Sequence, residues 1–254
     1  VFAALIAWCI LGLAGWWFVL RRSPIDSAGR VFPTEWRTPD AIFAGSLALF
    51  YLAPIVASGG ASQPLTPEIV RGGLMMYCMM LALLLAFVTY RGFSVVQVFG
   101  LAPRDWLRVL GWSVGCFVLT LPLVFICERL PELFGRSASE SDEHIQYLLG
   151  SLPAGDKAMM IVLAVLVAPL FEEFVFRGVL YGVMRKGFGQ IAAMASSALL
   201  FAGVHNNIPA IPAYFVLSIG FTLAYERTGS LWAPIVMHML FNSVSVIAVL
   251  YFLR

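Results

Sequence analysis

The stretch "APLFEEFVFRGVLYG", residues 168–182, sets two adjacent carboxylates and an arginine inside a run that otherwise reads as apolar helix. On a soluble helix Glu172, Glu173 and Arg177 would be ordinary solvated side chains. In a helix surrounded by lipid each of them is expensive, and composition selects this second setting. Of 254 residues, 61% are hydrophobic and 12% charged, whereas soluble domains carry about 45–50% apolar and about 25% charged residues. A helix that crosses a bilayer takes about 20 mostly apolar residues, so eight would use about 160 and leave the rest for loops.

Working outward, hydropathy divides the chain into eight apolar spans, about 1–20, 41–58, 72–90, 107–126, 158–184, 189–205, 212–226 and 233–253. Loops rich in Pro, Gly and charge separate them, such as "RRSPIDSAGR" after the first and "RKGFGQ" after the fifth. The prediction is an all-α polytopic membrane protein of about eight transmembrane helices, with the active site within the bundle. Residues 1–20 read as a span and not as a signal peptide, because the run is long, lacks a basic start and precedes Arg21 and Arg22. "FSVVQVFGLAPRDW" before the fourth span suits a short interfacial helix anchored by Trp106. Three regions result: 1–126 with four N-terminal transmembrane helices, 127–157 as an acidic extramembrane insertion, and 158–254 as a catalytic four-helix membrane core.

Charge bias gives an orientation. Loops after odd-numbered spans hold ten basic residues: Arg21, Arg22, Arg30, Arg37, Arg91, Arg104, Arg108, Arg185, Lys186 and Arg227. The opposite side holds five, Arg71, Arg129, Arg136, Lys157 and Arg254, so both termini and the acidic insertion are expected outside. The net charge of +2, without a basic-aromatic stripe, points to no nucleic-acid partner. The bilayer is the partner that composition names. Cys9, Cys78 and Cys116 fall in apolar runs and Cys127 at a helix end, which is packing usage and no disulfide framework.

Spans one to four are nearly free of ionisable groups. Spans five to eight hold Glu172, Glu173, Arg177, His205 and His238, with Asn206, Asn207 and Asn242 beside them. The remaining histidine, His144, sits in the acidic insertion and reads as a solvated surface residue. Three ionised side chains facing lipid unpaired would cost about 8–10 kcal/mol, so they must face the bundle interior, a water-filled cavity or each other. Glu173 and Arg177 stand at i and i+4 and can pair. Glu172 is turned about 100° from Glu173 and needs a partner from another helix or a cavity. That makes Glu172 the better candidate for a general base. The competing reading is an interhelical clamp without chemistry. "LLFAGVHNNIP" puts Phe201 and His205 one turn apart at a helix end, and "SLWAPIVMHMLFNSVSV" puts His238 and Asn242 on one face. A carboxylate, an imidazole and an amide on three helices are the residue types that water activation needs.

The ordered set EExxxR, FxxxH and HxxxN resembles the CPBP intramembrane protease family, the group that includes type II CAAX prenyl endopeptidases. Here the motifs are Glu172-Glu173 with Arg177, Phe201 with His205, and His238 with Asn242, within about residues 158–250. The resemblance implies hydrolysis of a peptide bond in or near the bilayer. It implies that Glu172 and His205 position and activate water while His238 and Asn242 donate to the tetrahedral oxyanion. Such donors are worth about 2.7–4 kcal/mol each when pre-aimed in a dry site. It also implies that Glu173 and Arg177 organise the helix, with Arg177 available to a substrate carboxylate. Glu172, His205 and His238 would form a chemically reasonable set for one divalent metal such as zinc. A glutamate-activated water without metal fits the same residues, and HExxH is absent. Prenyl-processing members often carry asparagine four residues after the middle histidine, where this chain has Pro209.

The expected substrate is therefore a peptide or a membrane-anchored protein, and the expected location is a prokaryotic inner membrane. Short helices and compact size suggest that prokaryotic location, where a prenylated substrate is less expected than a bacteriocin, a leader peptide or a membrane anchor. Two other classes stay open on sequence: a proton-coupled transporter, since intramembrane Glu, His and Arg also mark relays, and a catalytically silent membrane scaffold.

Overall fold

The computed structural model describes residues 7–8, 10–12, 14–15, 36–58, 66–131, 152–205 and 207–252. Most of the first expected span, most of the acidic insertion with His144, and Asn206 lie outside the described residues. Among those described, the main helices are α1 Thr38–Ser58, α2 Pro67–Tyr90, α3 Trp106–Arg129, α4 Ala154–Phe188, α5 Gln190–Val204, α6 Ile211–Thr228 and α7 Trp232–Phe252. Five stretches (α2, α3, α4, α6 with the turn before it, and α7) are long and apolar enough to cross a membrane, and α5 is a shorter apolar helix. The chain is an all-α, multi-pass integral membrane protein.

Helix boundaries follow from local chemistry. Thr66 caps α2 by accepting from the Ile69 N–H, and Pro67 takes the first helical position, where no N–H is needed. Asp105 caps α3 by accepting from the Arg108 N–H at 2.9 Å. α6 stops at Gly229, whose φ of +68° is left-handed geometry that glycine adopts without a Cβ clash. The turn that follows is stitched to the loop before α3. Leu231 N–H donates to the Phe99 carbonyl, Ser230 Oγ to Gly100 and Trp232 Nε1 to Leu101. A Cβ on Gly100 would run into the Gly229 carbonyl, so the two glycines permit this close approach. The expected interfacial helix is one turn, Val95–Val98, and Trp106 stays half exposed beside Trp232.

α6 is the most enclosed of the five spans, 50% buried, and packs on α3, α5 and α7, while α2 at 11% buried lies at the edge against α4. Contacts at the helix ends fix an alternating up-and-down order. Asp40 at the start of α1 binds Arg91 after α2, Arg185 near the end of α4 binds Glu226 near the end of α6, and Arg108 in α3 donates to the Arg227 carbonyl. The starts of α2 and α4 meet at the other end through Arg71 and Asp156. Much of the arginine bias in the loops therefore collects at one end of the bundle.

Candidate active site

α4, which carries the two glutamates, is not a uniform helix. The α-helical turns Ala154–Val162, Ala168–Glu173 and Gly182–Phe188 are interrupted by π-helical Leu163–Val167 and Phe174–Tyr181. Such insertions recur at functional sites. At the first of them Ala168 N–H bonds the Leu163 carbonyl, five residues back. The same step would pair Ala164 with Pro169, which has no N–H. Asn242 of α7 takes over that carbonyl, its Nδ2 donating to Ala164 O at 2.8 Å. One amide hydrogen of Asn242 is thereby committed to holding α7 on α4, and the other remains.

Glu173 and Arg177 pair at 3.0 Å, both side chains fully buried. Arg177 Nη2 also donates to the carbonyl and hydroxyl of Ser218 on α6, at 3.0 and 2.6 Å. Its guanidinium lies over both the Phe201 and Phe221 rings, 4.7 and 4.9 Å from their centroids, which adds cation–π attraction. Arg177 is fully buried and joins its own helix to α6 through Glu173 and Ser218.

Glu173 Oε1 has a second partner in His238 Nδ1, at 2.8 Å. An ionised carboxylate only accepts, so Nδ1 carries the hydrogen and donates. The opposite ring nitrogen, Nε2, lies 3.9 Å from Glu172 Oε2, too long for a hydrogen bond. The two glutamates diverge as the helix geometry predicts, yet one imidazole spans the gap between them. Glu172 finds its hydrogen-bond partner outside the C-terminal core: Tyr77 of α2 donates to Oε1 at 3.3 Å. His205 ends α5 with Nδ1 donating to the Phe201 carbonyl at 2.7 Å and its ring stacked on Tyr214. That hydrogen bond fixes the tautomer and leaves Nε2 as the free acceptor.

Phe201 explains why a phenylalanine precedes His205 by one turn. Its ring meets His205, His238 and Arg177 at once, and its carbonyl holds the His205 ring. Glu173, Arg177, His238 and Ser218 thus form one connected polar network, Glu172 faces it across the 3.9 Å from His238, His205 is joined through Phe201, and Asn242 lies one turn along from His238.

Residues 154–244 match the family model described as Type II CAAX prenyl endopeptidase Rce1-like. This segment contains all three motifs and every residue of the site except Tyr77. Over this segment the chain is similar to the CPBP family. Among curated proteins it is 30% identical over 147 residues to the "Membrane-embedded CAAX protease MroQ" of Staphylococcus aureus, covering 55% of this chain and 58% of that protein. It is 26% identical over 136 residues to YdiL of Bacillus subtilis, a candidate membrane peptidase, covering 54% of each. The alignments therefore span little more than half the length of these relatives. No solved structure matches the chain.

Glu172, His205 and His238 were the residues the sequence offered as metal ligands. Among the described residues no three His, Cys, Asp or Glu side chains are arranged to hold a metal ion. The donors as placed do not fit a three-ligand zinc centre, and no step below is routed through a metal. Sequence reasoning missed Tyr77, Ser218 and the link between Pro169 and Asn242. For Tyr77 a signal existed, a phenol in the middle of "MMYCMM" within an apolar span. Ser218 carried none, since serine is common in membrane helices.

Proposed function

We propose that this chain is an intramembrane endopeptidase in which Glu172 is the general base. The observation that carries the reading is the contrast between the adjacent glutamates. Glu173 is fully buried and committed to Arg177 and His238. Among the described residues no cation pairs with Glu172 at hydrogen-bond distance, and its Oε2 lies across 3.9 Å from His238 Nε2. A gap of that width between two polar atoms suits one bridging water. In the proposed step Glu172 Oε2 takes a proton from this water as its oxygen attacks the scissile carbonyl carbon. His205, through its free Nε2, helps orient the water. The uncommitted amide hydrogen of Asn242 donates to the developing oxyanion, while His238 Nε2, which carries no hydrogen, borders the gap as an acceptor. Collapse breaks the C–N bond, and the proton held by Glu172 passes to the leaving amine.

The substrate in this reading is a peptide or membrane-anchored protein cut in or near the bilayer, in keeping with relatives named as a CAAX protease and a membrane peptidase. Its test compares peptide termini, by mass spectrometry, in native membranes carrying wild type or Glu172→Gln. Gln keeps size and polarity but removes the base, and loss of about 10²–10⁴-fold in rate is expected for a general base. Termini that appear with wild type, vanish with Glu172→Gln and cluster near membrane spans are the expected result. Full cleavage by folded Glu172→Gln protein would refute the assignment.

A further inference from the structure

We infer that Tyr77 is a positioning residue for the reaction, acting through its hydrogen bond to the Glu172 carboxylate. The inference rests on Glu172 being the base, and adds a residue from the N-terminal half that lies outside the segment matched to the family model.

Tyr77 stands on α2, the least buried of the five spans, and is only partly buried itself. Its hydroxyl donates to Glu172 Oε1 at 3.3 Å across 95 residues of sequence. Its ring stands edge-on to Phe171, with centroids 5.1 Å apart and planes at 88°. Phe171 is 2% exposed and immediately precedes Glu172, so the ring contact fixes where the hydroxyl sits. The two oxygens of Glu172 consequently differ: Oε1 is held by Tyr77, and Oε2 faces His238 Nε2. A carboxylate on a glutamate side chain turns freely about its last bond unless something holds it. Tyr77 is the described side chain that hydrogen-bonds it. With Oε1 anchored, Oε2 stays aimed into the gap where the attacking water is proposed, and misplacement of such a group costs rate more than binding.

The test uses the full chain in proteoliposomes and a quenched-fluorescence peptide spanning the most abundant Glu172-dependent terminus. Tyr77→Phe keeps the ring and its contact with Phe171, so folding is retained while the donor is lost. The expected result is a fall in kcat of about tenfold with KM within about twofold. Met80→Ala, which trims a partly buried residue one turn along the same helix, is expected to leave kcat unchanged. Adding Tyr77→Phe to Glu172→Gln is expected to change nothing further, because the group it positions is gone. An unchanged kcat in Tyr77→Phe, or a rise in KM alone, overturns the inference while leaving the base assignment intact. An equal loss in Met80→Ala also overturns it, because the effect would then be seating of α2. Absence of any Glu172-dependent terminus overturns both readings together.

Discussion

Replacing Glu173 by glutamine isolates the charge of the buried pair from its hydrogen bonds. Glu173 Oε1 is the acceptor for both Arg177 Nη1, at 3.0 Å, and His238 Nδ1, at 2.8 Å. Its other oxygen, Oε2, has no hydrogen-bond partner among the described residues. A glutamine can keep its carbonyl where Oε1 stands, so both hydrogen bonds survive and only the negative charge is lost. Arg177 is fully buried, and breaking a buried pair by removing one charge costs about 3–5 kcal/mol. At about 2–4 °C per kcal/mol, the thermal midpoint in detergent micelles should fall by about 6–20 °C. Glu173→Gln combined with Arg177→Met removes both charges and keeps similar volumes, a change that is often near neutral. The double variant should therefore melt above either single variant, measured by intrinsic fluorescence during heating. Losses that simply add, or a Glu173→Gln midpoint equal to wild type, would falsify the account of a charge pair sealed from solvent.

Two further expectations concern the frame. Burial raises the Asp40 carboxyl, but hydrogen bonds from Arg91 and the Arg37 N–H, with the charges of both arginines, outweigh it and hold the group below the usual carboxylate value. A depressed folded value stabilises the ionised form, so the contribution is complete above the unfolded value of about 3.9 and is lost as pH falls through the folded one. Asp40→Asn should cost about 1.5–3 kcal/mol at pH 7, with its gap to wild type closing below about pH 4 in chemical unfolding series; a constant gap from pH 7 to 3 speaks against the pair. Asn242→Ala strips the donor from the Ala164 carbonyl and should cost about 1–3 kcal/mol. Adding Pro169→Ala supplies a backbone N–H and should recover part of that loss in the same melts; a further loss would break the proposed link between the two positions.

The helices were legible because lipid demands long apolar runs and because turn chemistry marks their ends. Expected spans at 107–126, 212–226 and 233–253 correspond to α3, α6 and α7 within a few residues. Asp105 and Gly229 show why, as both are capping residue types at their proper positions. The Glu173–Arg177 pair was legible for the same local reason, an i to i+4 spacing. What stayed hidden was non-local or non-periodic. The π-helical stretches leave no mark in hydropathy, because a run apolar on every face reads alike at any helical pitch. Asn242 looked like an oxyanion donor, and half of its donor capacity is spent on a carbonyl that Pro169 leaves unpaired. Tyr77 could be noticed as an odd phenol in an apolar span, but only the fold says that α2 lies against Glu172.

The arrangement also bears on why one turn of helix carries two glutamates. A buried ion pair is a poor source of stability, since removing charges from water offsets most of their attraction. Glu173 and Arg177 are therefore poorly explained as reinforcement. They are better explained by what they orient. Arg177, held by Ser218 and two aromatic faces, fixes where Glu173 Oε1 can lie, and Glu173 Oε1 fixes which nitrogen of His238 carries the hydrogen and which way the ring points. The nitrogen so released faces Glu172. Reversing the two roles would fail on geometry alone, because position i+4 from Glu172 is Phe176, which packs on Phe201 and offers no charge. On this helix the first glutamate is left for the proposed chemistry because Oε1 of the second is taken up in aiming its partner.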